Sequence, residues 1–111
     1  LVELKTDEFE ALLMFDFASS TLTDETKILL NQLVELLPDG KTILIIGNAD
    51  EIGLEETNLK IASERATNAI NFIKANTKKT FYFEERTNTD KFDESTPQGR
   101  YLNRSIIIRI K

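Results

Sequence analysis

Two side chains stand apart by type and position: Asp50, in a polar loop directly after an apolar strand, and Arg65, farther along on the following helix. A carboxylate and a guanidinium held near one another have two uses. They neutralise each other as a structural ion pair, or each takes one end of a zwitterionic ligand. In the second case the Asp accepts protons from an ammonium and the Arg grips a carboxylate through two parallel hydrogen bonds. The residues alone leave both uses open, because an Arg beside a helix's apolar face is more often a structural or surface group than a ligand contact. Gly53 sits between them, where the chain must turn into the helix.

Composition removes several other chemistries. The chain has no histidine and no cysteine. It therefore lacks the commonest general base and metal ligand, and any thiol nucleophile. Net charge is −5, with 19 acidic against 14 basic residues. A sequence-independent nucleic-acid binder needs the opposite sign, so no nucleic-acid partner is expected. Asn48-Ala49-Asp50-Glu51-Ile52-Gly53 resembles the start of a calcium loop, but Ile52 and Leu59 fall where calcium requires oxygen donors. No metal and no cofactor are expected. The acids from Asp50 to Glu56 admit a paired-carboxylate hydrolase as a minor reading. Acid in a helix's first turn is more simply explained by the helix dipole.

The elements that must position Asp50 and Arg65 are legible from patterning. Ala11 to Phe17 is a short apolar run that suits a strand. Thr23 is an N-cap candidate, followed by Asp24 and Glu25 in the first helical turn. Leu29, Leu30, Leu33, Val34, Leu36 and Leu37 then recur at helical spacing, until Pro38-Asp39-Gly40 ends the helix. Thr42 to Ile46 reads as a strand buried on both faces, ending at Gly47. A second helix is expected from near Glu55 to about Ala75, with Leu59, Ala62, Ala66, Ile70 and Ile73 inward. At about 100° per residue, Arg65 lies roughly 80° from the centre of that stripe, at the edge of the buried face. Thr80 to Phe83 is a third strand, residues 86–99 a polar loop, and Ser105 to Ile110 the last strand.

The order βαβαβ(loop)β implies an α/β (α+β) two-layer sandwich, with helices on one face of a mixed four-stranded sheet. One domain is expected over residues 11–111, preceded by a tail or linker end at 1–10. The hydrophobic fraction of 41% and charged fraction of 30% are ordinary for a globular domain. No apolar run is long enough to cross a membrane as a helix, and no signal peptide is visible. The chain opens on Leu1, and we read it as a piece of something longer.

Three blocks carry a family resemblance. The first is Gly47-Asn48-Ala49-Asp50-Glu51-Ile52-Gly53, then Asn58, then Ile61-Ala62-Ser63-Glu64-Arg65-Ala66. It resembles the OmpA-like domain pattern, in which a Gly-His-Thr-Asp-x-x-Gly loop precedes a Tyr-Asn pair and a Leu-Ser-x-x-Arg-Ala helix segment. The second is Phe15-Asp16-Phe17-Ala18-Ser19-Ser20-Thr21-Leu22, similar to the family's first strand and its exit loop. The third is Thr96-Pro97-Gln98-Gly99-Arg100-Tyr101-Leu102-Asn103-Arg104, similar to the Thr-x-x-Gly-Arg-x-x-Asn-Arg-Arg motif before the last strand. The resemblance implies non-covalent binding of peptidoglycan through the diaminopimelate of the stem peptide. Asp50 then pairs with the ligand's ammonium and Arg65 with its carboxylate. Asn58 and Arg104 support the pocket, and Asp16 borders it.

It further implies a periplasmic, non-catalytic anchor, attached to the envelope, and to the outer membrane in particular, through regions outside this chain. The departures are Asn48 for His, Ala49 for Thr, Thr57 for Tyr, Ile61-Ala62 for Leu-Ser and Ser105 for the second Arg. They leave a second reading: the fold kept, peptidoglycan binding lost, and an envelope protein as partner.

Overall fold

The computed structural model describes residues 9–16, 18–49, 55–88 and 96–111. Among the described residues, four strands and three helices follow in the order β1 (Glu10–Met14), α1 (Asp24–Leu36), β2 (Thr42–Asn48), α2 (Glu55–Asn76), β3 (Tyr82–Asn88), α3 (Pro97–Leu102) and β4 (Ser105–Ile110). The sheet order is β1-β4-β2-β3. β4 runs antiparallel to both β1 and β2, and β2 pairs with β3 in parallel, across α2. The mixed four-stranded sheet with helices packed on it is the α+β architecture read from the sequence.

Local chemistry accounts for the element boundaries. Thr23 caps α1 by accepting the Thr26 amide hydrogen at 3.1 Å, and Asp24 and Glu25 occupy the first turn. Leu37 ends the helix in an extended conformation. Gly40 turns the chain at φ +83°, a region a side chain would resist, and its N–H donates to the Thr80 carbonyl at 2.7 Å. α2 runs from Glu55 to Asn76, one residue beyond the expected end.

Alternation divides the sheet. Ile43 and Ile45 of β2, Ile106, Ile108 and Ile110 of β4, and Leu13 of β1 meet Leu30, Leu33 and Val34 of α1 and Ala66, Ala69, Ile70 and Ile73 of α2 in one core. Each fully buried Leu, Ile or Val side chain in it contributes roughly 1.5–3 kcal/mol. Leu44, Ile46 and Ile107 form a smaller buried cluster on the other face. β2 is thus buried on both faces, as its unbroken apolar run implies.

Four expectations need correction. β1 spans Glu10–Met14, so Phe15 follows the strand rather than belonging to it, and Phe17 lies outside the described residues. β2 continues through Gly47 to Asn48, because β3 pairs with it to that point. β3 itself begins at Tyr82 and runs to Asn88, well into the stretch read as loop. It is an edge strand, and its exposed positions carry Glu84, Glu85 and Arg86, which hides the alternation expected of a strand. The segment before β4 holds α3, with Thr96 as N-cap and Pro97 in the first turn. Residues 89–95, the rest of the expected loop, lie outside the described residues.

Candidate functional site

Gly47 fixes where α2 can lie. A Cβ at this position would stand 1.9 Å from the carbonyl oxygen of Ala62, so the helix backbone rests directly on the end of β2. Around this contact the residues of α2 that face the sheet are small: Ala62, Ala66 and Ala69 are completely buried, and the larger Ile70 and Ile73 follow farther along the helix. The buried face is therefore centred on Ala62, Ala66 and Ala69 and is rotated toward Arg65 relative to the expected stripe of Leu59, Ala62, Ala66, Ile70 and Ile73. Leu59, assigned to that stripe, is 40% exposed. Arg65, assigned to its edge, is inside the protein at 1% exposure.

A buried guanidinium requires partners. Arg65 finds backbone carbonyls from two segments that meet at the end of the sheet. Its Nη1 donates to Asn48 O at 2.8 Å, its Nε to Ser19 O at 2.8 Å and its Nη2 to Asp16 O at 3.2 Å. Its cationic carbon stands 5.3 Å from the centre of the Phe15 ring, within cation–π range. Two neighbours on α2 hold the same loop. Glu64 accepts the Ser20 hydroxyl at 2.9 Å, and Asn68 donates its amide to Ser20 O at 2.8 Å. The β1–α1 loop and the end of β2 are thus fastened to α2 through Arg65.

Of the residues singled out in the sequence, Arg65 and Asp16 come together, though through the Asp16 backbone; its side chain is exposed. Arg104 joins the same region from β4's side, since its carbonyl accepts the Phe15 amide hydrogen at 2.7 Å. Asp16 and Arg104 line one groove of about 500 Å³. Asn58 lies two helical turns before Arg65 on the same face of α2, about 10 Å away along the axis. It is 5% exposed, and its amide nitrogen makes no hydrogen bond. Asp50 and Gly53 lie outside the described residues.

Three participants were not singled out from sequence. Ser19 contributes only a carbonyl, for which no sequence signal exists. Asn48, noted as a departure from the family loop, is fully buried at the end of β2. Its side-chain nitrogen donates to Ser105 Oγ at 3.3 Å, and Ser105 Oγ donates to Leu102 O at 2.7 Å. Asn48 and Ser105, two departures from the family pattern, are therefore direct neighbours. The Asn48 side-chain oxygen is buried without a hydrogen-bond partner. Phe15, the third, supplies the ring beneath Arg65.

Comparison with known proteins gives three kinds of match. Residues 14–104 match the OmpA family. Over 107 residues the chain is 33% identical to outer membrane protein A of Bordetella avium, a match covering 92% of this chain and 55% of that protein. The chain thus spans about half the length of the curated relative it matches. Among solved structures it resembles the peptidoglycan-associated lipoprotein of Burkholderia pseudomallei, with a TM-score of 0.70 and 25% identity over 90% of this chain and 89% of that one. It shares its fold with the C-terminal domain of Helicobacter pylori MotB, at a TM-score of 0.74 and 16% identity over 91% of this chain and 84% of that one.

Proposed function

Since this chain belongs to the OmpA family, we propose that it binds peptidoglycan non-covalently through the diaminopimelate of the stem peptide and anchors a larger protein to the cell wall. Residues 11–111 would form the binding domain, and the whole would work in the periplasm, joined to the envelope, to the outer membrane in particular, by regions outside this chain. No turnover and no cofactor enter this reading.

The observation that carries it is the fixed, buried position of Arg65 on Asp16, Ser19 and Asn48. A guanidinium immobilised in this way loses little conformational freedom on meeting a carboxylate, so its charge-assisted bonds translate into affinity. The bond to the Asp16 carbonyl, at 3.2 Å, is longer than those to Ser19 O and Asn48 O, and is the one of these that a ligand carboxylate most readily displaces. Asn58 adds a buried donor with no acceptor, costing roughly 1–3 kcal/mol while it stays unsatisfied. A second acceptor from the ligand would remove that cost. In this reading Asp50 takes the ammonium, Arg104 supports the pocket, and Asp16 borders it. The relative from Burkholderia, peptidoglycan-associated by name, supports the ligand class.

The enclosure of Arg65 also favours a second reading, in which the clamp is purely structural and the fold serves an envelope protein partner. Co-sedimentation with purified peptidoglycan sacculi separates the two. The chain is expected to pellet with sacculi, and Asp50→Asn and Arg65→Lys are expected to stay in solution while remaining folded. Equal pelleting of all three would remove both residues from the site. No pelleting of the unaltered chain would favour the second reading.

A further inference from the structure

We propose that the open edge of β1 is a docking strip for an extended segment of a partner protein in which basic and apolar residues alternate. Among the described residues β1 ends the sheet, with β4 on one side only. The Phe15 amide hydrogen bonds to Arg104 O, which fixes the phase of the ladder. Residues 11 and 13 therefore turn their backbone groups toward β4, and residues 10, 12 and 14 turn theirs outward. Met14 O confirms the phase by accepting the Thr26 hydroxyl of α1 at 2.9 Å. The Leu12 N–H and C=O, and the Met14 N–H, point to the open side.

The two edges of the sheet are treated differently. β3 carries Glu84, Glu85 and Arg86, charges of the kind that discourage strand addition. β1 carries only Glu10, and Arg109 holds that carboxylate at 2.8 Å. Beside β1 runs the groove of about 500 Å³, lined by Leu12 to Asp16 on one wall and by Thr23 to Thr26 and Leu29 on the other. Arg104 and Tyr101 line it as well.

Charge and alternation identify the occupant. A strand added to β1 points successive side chains to opposite faces of the sheet. On the helix face it meets Asp24 and Glu25, both exposed, with Leu29 at 47% exposure beside them. Lysine fits there, laying its alkyl stem on Leu29 and its ammonium against the acids. On the other face it meets Leu12, 38% exposed, which suits an apolar residue. A second copy of this chain is disfavoured, because it would bring the same acids, on a body of net charge −5, to the same edge.

The experiment is an NMR titration of the isotopically labelled chain with the capped peptide Lys-Val-Lys-Val-Lys-Val. Amide shifts are expected at residues 10–14 and 24–29, with affinity falling at least tenfold between low and physiological salt. Alternate N-methylation of the peptide, which removes half its backbone donors, should abolish binding. Leu12→Pro removes an outward N–H that β4 does not use and should do the same. Asp24→Asn with Glu25→Gln, which leaves β1 intact, should weaken binding at least tenfold. No shifts at millimolar peptide, shifts centred on β3 or elsewhere, equal binding of Glu-Val-Glu-Val-Glu-Val, or self-association of the chain would each overturn the proposal. None of these outcomes depends on peptidoglycan binding.

Discussion

Gly47→Ala tests the contact on which the site's geometry rests. The added methyl would lie 1.9 Å from Ala62 O, and Cβ atoms essentially never approach closer than 3.0 Å. The obstacle is backbone on both sides, so no side chain can rotate away. Either α2 lifts from β2 by more than 1 Å or the end of β2 bends outward. Lifting the helix opens gaps beneath Ala62, Ala66 and Ala69, which are fully buried. Overpacking of a tight core costs about 1–3 kcal/mol, and more where backbone must move. With the lost packing included, we expect about 3–5 kcal/mol. For a domain of this size, that is roughly 12–30 °C in melting temperature. Urea denaturation with the slope unchanged is the assay, because a shifted midpoint at constant slope reports stability alone. A loss below about 1 kcal/mol would refute the claim that α2 is seated on Gly47. The reach from Arg65 to Asn48 O would then lose its explanation as well.

Two further predictions concern surface chemistry. α1 has no basic residue in its last turn; instead Lys79 donates from its Nζ to the carbonyls of Val34, Glu35 and Leu37 at 2.8–3.0 Å. Lys79→Met leaves those carbonyls and the negative end of the helix without a cation and should cost about 1–2 kcal/mol in urea denaturation. At the sheet's far end, the hydrogen bond from Lys111 at 2.6 Å, aided by the charges of Lys111 and Arg86, holds the Glu84 carboxyl below the ordinary glutamate range. A lowered folded-state pKa contributes stability above the unfolded-state pKa, and that stability is lost as pH falls through the folded value. Lys111→Met should therefore raise the Glu84 pKa read by carboxyl NMR titration and flatten the acid limb of the stability curve.

What sequence could reveal depended on where each signal resides. The ends of α1 were legible because Thr23, Asp24 and Glu25, and then Pro38-Asp39-Gly40, act locally, whereas Leu29 and Leu36 of its apolar stripe are exposed. β4 was legible to the residue because Ser105 to Ile110 is apolar and buried on nearly every side chain. β3 was cut short because an edge strand places charges where the pattern expects alternation. α3 was missed because six residues are too few for helical periodicity, although Thr96-Pro97 already announced its start. At the candidate site, Arg65 was legible from its type and spacing, and Asn58 from the family resemblance alone. The depth of Arg65 was not, because it follows from a close approach at Gly47 that brings alanines, rather than leucines, to the centre of the buried face. The carbonyls of Asp16, Ser19 and Asn48 leave no mark in the sequence, since every residue has one.

The most direct measurement is a calorimetric titration of the chain with a diaminopimelate-containing stem peptide, beside the same peptide carrying lysine. Diaminopimelate offers an ammonium and a carboxylate on its far carbon, whereas lysine offers only the ammonium. Saturable binding that prefers diaminopimelate, and that falls several-fold to a few hundred-fold in Asp50→Ala and in Arg65→Ala, roughly 1.5–3 kcal/mol, is the predicted result. Absence of binding at millimolar peptide, or equal affinity for the lysine peptide, would contradict the account.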